Sequence, residues 1–240
     1  MNALASKYYP RETPSGAWLA RVVEAVDDRA LAHGIIVHGS WARGDNDAAS
    51  DIDLLVVLRS GPTVEQVRSI LDTQVEIYKG TLANLRERLQ QDQPLNNNFI
   101  LNALHEGLIF VDRDGVIGPL MKEADTRWAK GPFPMTAAET DATRRALYRM
   151  LGSAKRLSER SSGSNENAFI AETRSHQVVI QSFYLYHRVR RKWTTSFPLM
   201  LSRLKAESSA LYDLWSEYIK AASPQQRIHL AELFVESVYE

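Results

Sequence analysis

The stretch from Gly34 to Leu58 constrains the fold more than any other part of the chain. It begins with an apolar, β-branched segment, continues through Gly39-Ser40, and ends with two aspartates that lead into Leu54-Leu55-Val56-Val57-Leu58. Such apolar runs are typical of strands buried on both faces, and glycine lets the backbone turn sharply between elements. The stretch therefore predicts a strand, a tight turn into a helix, a loop and a second strand.

The glycine turn is a candidate phosphate site. A helix that begins near Ser40 has unpaired backbone N–H groups and the positive end of its dipole there, and both favour a phosphate. The Ser40 hydroxyl adds one more donor. Arg43 has two interpretations, because its guanidinium can neutralise a phosphate or pair with Asp45 or Asp47 at the surface.

Asp51 and Asp53 form a candidate metal site. Residues two apart on a strand point to the same side, so the two carboxylates are expected to lie close together. Two like charges about 4 Å apart repel by roughly 1–4 kcal/mol, depending on the effective dielectric constant. A divalent cation removes that repulsion, and Mg²⁺ binds one or two carboxylates together with phosphate oxygens and water.

Two short motifs in this stretch resemble those of the DNA polymerase β-like nucleotidyltransferase superfamily, in its minimal and antibiotic-modifying branches. They are Gly39-Ser40-Trp41-Ala42-Arg43-Gly44 and Ser50-Asp51-Ile52-Asp53-Leu54. The resemblance is specific from Ile35 to about Val111 and only architectural beyond it. It implies an α+β fold, in which a small mixed sheet with flanking helices is followed by an all-α helical bundle domain.

The resemblance also implies a third acid on the next strand of the sheet. Glu76 meets this requirement, because it alternates with Val75 and Ile77 and would face the two aspartates. Asp51, Asp53 and Glu76 would then be the catalytic metal ligands, holding two Mg²⁺ ions about 3.5–4 Å apart. The residues expected around the nucleotide are Gly39, Ser40, Arg43 and Ser50.

The reaction implied is the transfer of a nucleoside monophosphate, expected to be AMP from ATP, to a hydroxyl of a small molecule, with release of pyrophosphate. Aminoglycosides and lincosamides are the acceptors used by the antibiotic-modifying relatives. Two acids are candidates for the general base: Glu76, and Glu172 in the helical domain. Glu172 lies one helical turn from His176, so the two residues are either a base with its orienting partner or an ordinary exposed pair.

Two other functions stay open at this point. The same chemistry could modify a protein or RNA partner, as the minimal nucleotidyltransferase antitoxins do, although the Arg and His signature of their partners is absent from the C-terminal helices. Alternatively, the chain could be a non-catalytic nucleotide-binding module. That function predicts an incomplete acidic set, whereas all three acids are present.

Length and composition set the domain organisation. The 240 residues suit two modest domains, and the absence of cysteine excludes disulfides, thiolate zinc sites and a cysteine nucleophile. Gly131-Pro-Phe-Pro134 is the expected boundary, since two prolines in so short a span exclude helix. We therefore expect a nucleotidyltransferase domain over residues 1–131 and a helical, acceptor-binding domain over residues 132–240.

Periodicity predicts the elements around the motif. Apolar spacing predicts a helix over 17–32, and Thr63, followed by acidic and polar residues, predicts another through Leu71. A strand carrying Glu76 follows, so the crossover would place this strand parallel to the one after Asp53. Thr136-Ala-Ala-Glu139 is a capping box that opens the first helix of the second domain.

The remaining features concern location and partners. No apolar run has the length of a transmembrane helix, and Tyr8-Tyr9-Pro10-Arg11 stands where a signal peptide needs an apolar segment, so a cytoplasmic protein without membrane contact is expected. The net charge of zero argues against a general nucleic-acid binder. The sequence leaves a homodimer open.

Overall fold

The computed structural model describes residues 7–91, 98–160 and 165–239. Over these residues the chain divides into two compact units. The first unit spans residues 7–91 and 98–130, and the second spans residues 131–160 and 165–239. The first is α+β and the second is helical, which confirms the expected fold class.

The first unit is built on five strands, with helices before, between and after them. The strands are β1 Ala32–His38, β2 Ile52–Leu58, β3 Val64–Ile70, β4 Thr73–Thr81 and β5 Leu108–Asp112. The helices are α1 Pro14–Val26, α2 Gly39–Arg43, α3 Leu82–Gln90, α4 Phe99–Glu106 and α5 Ile117–Ala129.

The strands form one mixed sheet in the order β3-β4-β2-β1-β5. β2 and β4 are parallel, as expected, and the other neighbouring strands are antiparallel. The parallel register sets Asp53 opposite Glu76. The sheet therefore brings together two acids that are far apart in sequence.

The predicted helix from Thr63 to Leu71 is wrong, because this segment is strand β3, which pairs with β4 as an antiparallel hairpin. Leu71 and Asp72 form the two-residue turn and have φ angles of 50° and 59°, which is the conformation that suits a tight hairpin. Valine and isoleucine at every third position fit a helix equally well. Hydrogen-bonded pairing with β4 makes this segment a strand, because strand formation depends strongly on the neighbouring strands.

Helix α1 covers one face of the sheet. It packs Leu19, Val22 and Val23 against alternate residues of β2, including Ile52 and Leu54. Because side chains alternate along a strand, Asp53 points to the opposite face. The predicted helix over 17–32 ends too late, since α1 stops at Val26 and β1 already begins at Ala32.

The second unit consists, in its described part, of five helices. They are α6 Ala137–Glu159, α7 Asn165–Val189, α8 Phe197–Glu207, α9 Ser209–Lys220 and α10 Pro224–Val238. Large side chains such as Phe183, Tyr218 and Phe234 fill its core. The capping box at the start of α6 is confirmed, because Glu139 Oε2 accepts from the Thr136 backbone N–H at 2.7 Å and the Glu139 N–H donates to Thr136 Oγ1 at 3.2 Å.

No helix in the described ranges combines the length and the apolar character needed to cross a bilayer.

The core of the second unit contains a histidine that predicts acid sensitivity. His187 is fully buried, and burial lowers its pKa to about 4 from a usual value of 6.5. Between these two values the unfolded chain binds a proton that the folded chain does not, so stability falls as the pH drops through this window. We expect His187→Phe to lose less stability than the wild type between pH 6.5 and pH 4, by up to about 3 kcal/mol. Urea denaturation across this pH range measures the difference, and parallel curves for the two proteins would contradict it.

Candidate active site

Three carboxylates converge near the N-terminal ends of two neighbouring interior strands of the sheet. Asp51 precedes β2, Asp53 lies on β2, and Glu76 lies on the neighbouring strand β4. Each offers one oxygen, and these oxygens all lie within 4.8 Å of one another. The structure thus brings together the three acids that are expected to be metal ligands.

The electrostatics of this group favour a bound cation. Burial, followed by the charges of Asp51 and Glu76, raises the pKa of Asp53 to about 6, and the Arg43 guanidinium opposes the rise. A raised carboxyl pKa means that negative charge is poorly compensated at this point. Hard oxygen ligands in a cluster of this size fit a Mg²⁺-type cation, which would restore the charge balance.

Gly39 is positioned against Asp53 by the turn between β1 and α2. Its φ is 66°, a conformation that glycine adopts readily. A Cβ built on Gly39 would overlap Asp53 Oδ2. Only glycine therefore lets the turn approach the carboxylate so closely.

The start of α2 carries no side-chain cap. The backbone N–H groups in the first turn of a helix have no partner within the helix, so those of Gly39 and Ser40 are candidate donors to an anion. Because α2 has only five residues, its dipole is weak. The N–H groups themselves would provide most of the attraction for an anion. Trp41, which follows, stacks on Trp18 with ring centroids 5.2 Å apart, in keeping with a packing role.

Arg43 makes the surface pairing that the sequence had left as one alternative. Its Nε donates to Asp45 Oδ2 at 3.2 Å, and its Nη1 donates to Glu106 Oε2 at 3.5 Å. The sequence indicates Asp45 as a partner but not Glu106, which lies at the end of α4 and 63 residues away. No local pattern links the two residues, because the contact depends on how α4 packs beside β1.

Ser50 lies in a loop that is closed by its own hydrogen bonds. The Ser50 hydroxyl accepts from the Asp47 N–H at 2.9 Å and donates to Asp47 Oδ1 at 3.0 Å. This turn comes directly before Asp51 and strand β2. The hydrogen bonds of Ser50 therefore help to fix the position of Asp51.

His38 lies opposite Asp53 in the register of β1 and β2. It is buried, and burial together with the nearby Arg43 lowers its pKa to about 3. Its ring meets the edge of Phe99 at a centroid distance of 5.2 Å. A neutral histidine at this position adds no charge to the acidic group.

Glu172 belongs to the helical unit, on α7. It forms an ion pair with Arg227 of α10, and its Oε1 lies 4.0 Å from His176 Nε2. His176 and Glu172 are thus neighbours on one helix, as their spacing predicted. Arg227 is a third member that the sequence did not indicate.

A protein-family model matches the part of the chain that carries the acidic group. Residues 19–103, about a third of the chain, match a family model described as the nucleotidyltransferase domain. The matched segment contains the three acids and the Gly39-Ser40 turn. The match supports the assignment of the chain as a nucleotidyltransferase, an enzyme of the EC 2.7.7 type.

Among solved structures, the chain is similar to a nucleotidyltransferase-like protein from Exiguobacterium sibiricum 255-15. The identity is 18%, the match covers 90% of this chain and 71% of the other, and the TM-score is 0.49. The comparison with curated proteins gives no match.

Proposed function

We propose that the chain is a Mg²⁺-dependent nucleotidyltransferase that moves AMP from ATP to a hydroxyl of a small molecule of the aminoglycoside or lincosamide type. The observation that carries the proposal is the group formed by Asp51, Asp53 and Glu76 beside the Gly39-Ser40 turn. Carboxylates next to the backbone N–H groups of a helix start suit a nucleoside triphosphate, whose phosphates need both a cation and hydrogen-bond donors.

In the reaction, the acceptor oxygen forms a bond to the α-phosphorus, and the bond between the α- and β-phosphates breaks to release pyrophosphate. Asp51, Asp53 and Glu76 would hold the Mg²⁺, which supplies Lewis-acid stabilisation of the charge on the phosphate oxygens. The N–H groups of Gly39 and Ser40 would orient the triphosphate.

Arg43 and Ser50 complete the proposed nucleotide site. Arg43 influences the charge state of Asp53 and would exchange its contact with Asp45 or Glu106 for a phosphate oxygen. Ser50 would act by fixing the loop that leads to Asp51.

Two carboxylates are candidates for receiving the proton of the acceptor hydroxyl. Glu76 is exposed and belongs to the acidic group, whereas Glu172 is engaged by Arg227. We therefore assign proton transfer to Glu76, whereas Glu172 pairs with Arg227 within the helical unit.

Glu76→Gln is expected to lower kcat by about 10²–10³-fold, and Glu172→Gln by less than about tenfold. Steady-state kinetics of both variants test the assignment, and the opposite order of effects would transfer the role to Glu172.

Mass spectrometry tests the proposed acceptor class. The protein is incubated with Mg²⁺, each of the four nucleoside triphosphates in turn, and a panel of aminoglycosides and lincosamides. We expect one acceptor to gain the mass of a nucleoside monophosphate with ATP as donor. A mass gain on a protein or RNA, with none on the panel, would instead establish a macromolecular acceptor.

The intact acidic group also counts against a non-catalytic module, since such a module has no need to keep three repelling carboxylates together.

A further inference from the structure

A cavity of about 460 Å³ lies in the first unit, apart from the acidic group. This volume falls within the range of sites that bind small molecules. The walls come from α1, α2, the loop that precedes β2, and the start of β4. The lining residues include Trp18, Trp41, Asn46, Asp47, Ser50 and Thr73.

The cavity is on the face of the sheet that α1 covers. Trp18 and Trp41 pack against the core that α1 forms with the sheet. Thr73 alternates along β4 with Val75, which belongs to that core, whereas Glu76 points to the other face. The cavity is therefore distinct from the acidic group, although the two share helix α2 and the loop before β2.

Two indole rings form an aromatic wall. Trp18 and Trp41 stack with their ring centroids 5.2 Å apart and their planes inclined by 19°. Both side chains are partly exposed, so part of their ring surface is open to a ligand. The face of an aromatic ring carries negative electrostatic potential, and tryptophan attracts cations more strongly than phenylalanine or tyrosine does. This wall therefore favours either a cation or a flat apolar ring.

The charge of the cavity decides between these two ligands. Among the described residues that line it, Asp47 is the only charged one. Asp47 Oδ1 accepts from the Ala49 N–H at 2.9 Å and from the Ser50 hydroxyl at 3.0 Å. These hydrogen bonds lower the pKa of the Asp47 carboxyl, so it is ionised at neutral pH. Within the described part of the chain Asp47 has no ion-pair partner, so its charge favours a cationic ligand.

We propose that this cavity binds a small organic cation of the alkylammonium type, with its charged head against the indoles of Trp18 and Trp41 and near the Asp47 carboxylate. An anion would be repelled by Asp47. A neutral flat ring would lie against the indoles but leave the aspartate without a counter-charge. The inference goes beyond the proposed function, because it concerns a second site and does not depend on the transfer reaction.

Two-dimensional proton–nitrogen-15 NMR of the full-length chain tests binding without nucleotide or Mg²⁺. The chain has five tryptophans, and each indole N–H gives its own signal. Trp18→Phe and Trp41→Phe assign the two signals of interest. Choline and ethanolamine are the probes. The control is 3,3-dimethylbutan-1-ol, which has the shape of choline but carbon in place of the charged nitrogen.

At least one of the two cations is expected to shift the signals of Trp18 and Trp41 in a saturable way and to leave the other three unchanged. The neutral alcohol should bind about tenfold more weakly than choline, because it lacks the attraction between charge and ring. No saturable shift with either cation, or equal binding of choline and the alcohol, would overturn the proposal. Tighter binding of adenosine than of both cations would identify a site for flat rings and would also overturn it.

Substitution of Asp47 tests the contribution of charge. Asp47→Asn keeps the Oδ1 acceptor for the Ala49 N–H but removes the charge, so we expect the Kd for the bound cation to rise at least about threefold. Asp45→Asn is the matched control, since it removes the same charge from a residue that pairs with Arg43. It should change Kd by less than about 1.5-fold. Equal Kd values for Asp47→Asn and the wild type would contradict the assigned role of the carboxylate.

Substitution of Trp18 tests the aromatic wall. Trp18→Leu should weaken binding more than Trp18→Phe does, because phenylalanine keeps an aromatic face and leucine does not. Equal Kd values for the two variants would show that the ring acts only by its bulk and would overturn the proposed contact between the cation and the indoles.

Discussion

Asp53→Asn is expected to reduce nucleotidyl transfer by orders of magnitude while stabilising the protein in the absence of metal. The loss of activity should reach roughly 10²–10³-fold, because the cation supplies several kcal/mol of charge stabilisation and each 1.36 kcal/mol is a factor of ten in rate. The gain in stability follows from the pKa of Asp53, which burial and the neighbouring carboxylates raise to about 6. Above that pH the charged aspartate destabilises the folded state, and asparagine removes the charge.

Thermal unfolding with and without Mg²⁺ measures both effects. Without Mg²⁺ at pH 7.5, the variant should melt at or above the wild-type temperature. With Mg²⁺ at a hundred times its Kd, the wild type should gain about 2.7 kcal/mol and the variant should gain none from this site. A variant that melts lower than the wild type without metal, yet still responds to Mg²⁺, would show that Asp53 is not part of a cation site.

Gly39→Ala is expected to be nearly as damaging, for a steric reason. The new Cβ would overlap Asp53 Oδ2, and the positive φ of 66° strains any residue with a side chain. We expect a loss of about 1–3 kcal/mol in stability. Displacement of the Asp53 carboxylate should also reduce transfer by about 10²-fold, since small misplacements of reacting groups have effects of this size.

Gly44→Ala is the matched control for this substitution. Gly44 also has a positive φ, 76°, but a Cβ there would meet no atom within 4 Å. This variant should therefore show the backbone strain alone and keep its activity. Equal loss of transfer in Gly39→Ala and Gly44→Ala would attribute the defect to strain in the turn and contradict the contact with Asp53.

Much of the site could be predicted from the sequence because most of the residues that form it lie close together along the chain. Gly39, Asp51 and Asp53 lie within fifteen residues, and strand alternation alone predicts that the aspartates share a side. Glu76 needed the resemblance to indicate a third acid, and the parallel register of β2 and β4 then places it opposite Asp53.

What could not be predicted depends on packing between distant segments. Strand β3 has helical spacing in its apolar residues, and only its pairing with β4 makes it a strand. The contacts of Arg43 with Glu106 and of Glu172 with Arg227 join residues with no common local pattern. The contact between the Tyr218 hydroxyl and His176 Nδ1 likewise joins two different helices.

The most direct test of the central claim is a pair of transfer reactions that differ only in the labelled phosphate. Wild-type protein, Mg²⁺ and an aminoglycoside are incubated with ATP labelled at either the α- or the γ-phosphate, with Asp53→Asn as the blank. The proposed chemistry predicts α-label on the aminoglycoside, γ-label in pyrophosphate and neither product with the variant. γ-Label on the aminoglycoside would identify a phosphotransferase and contradict the nucleotidyltransferase assignment.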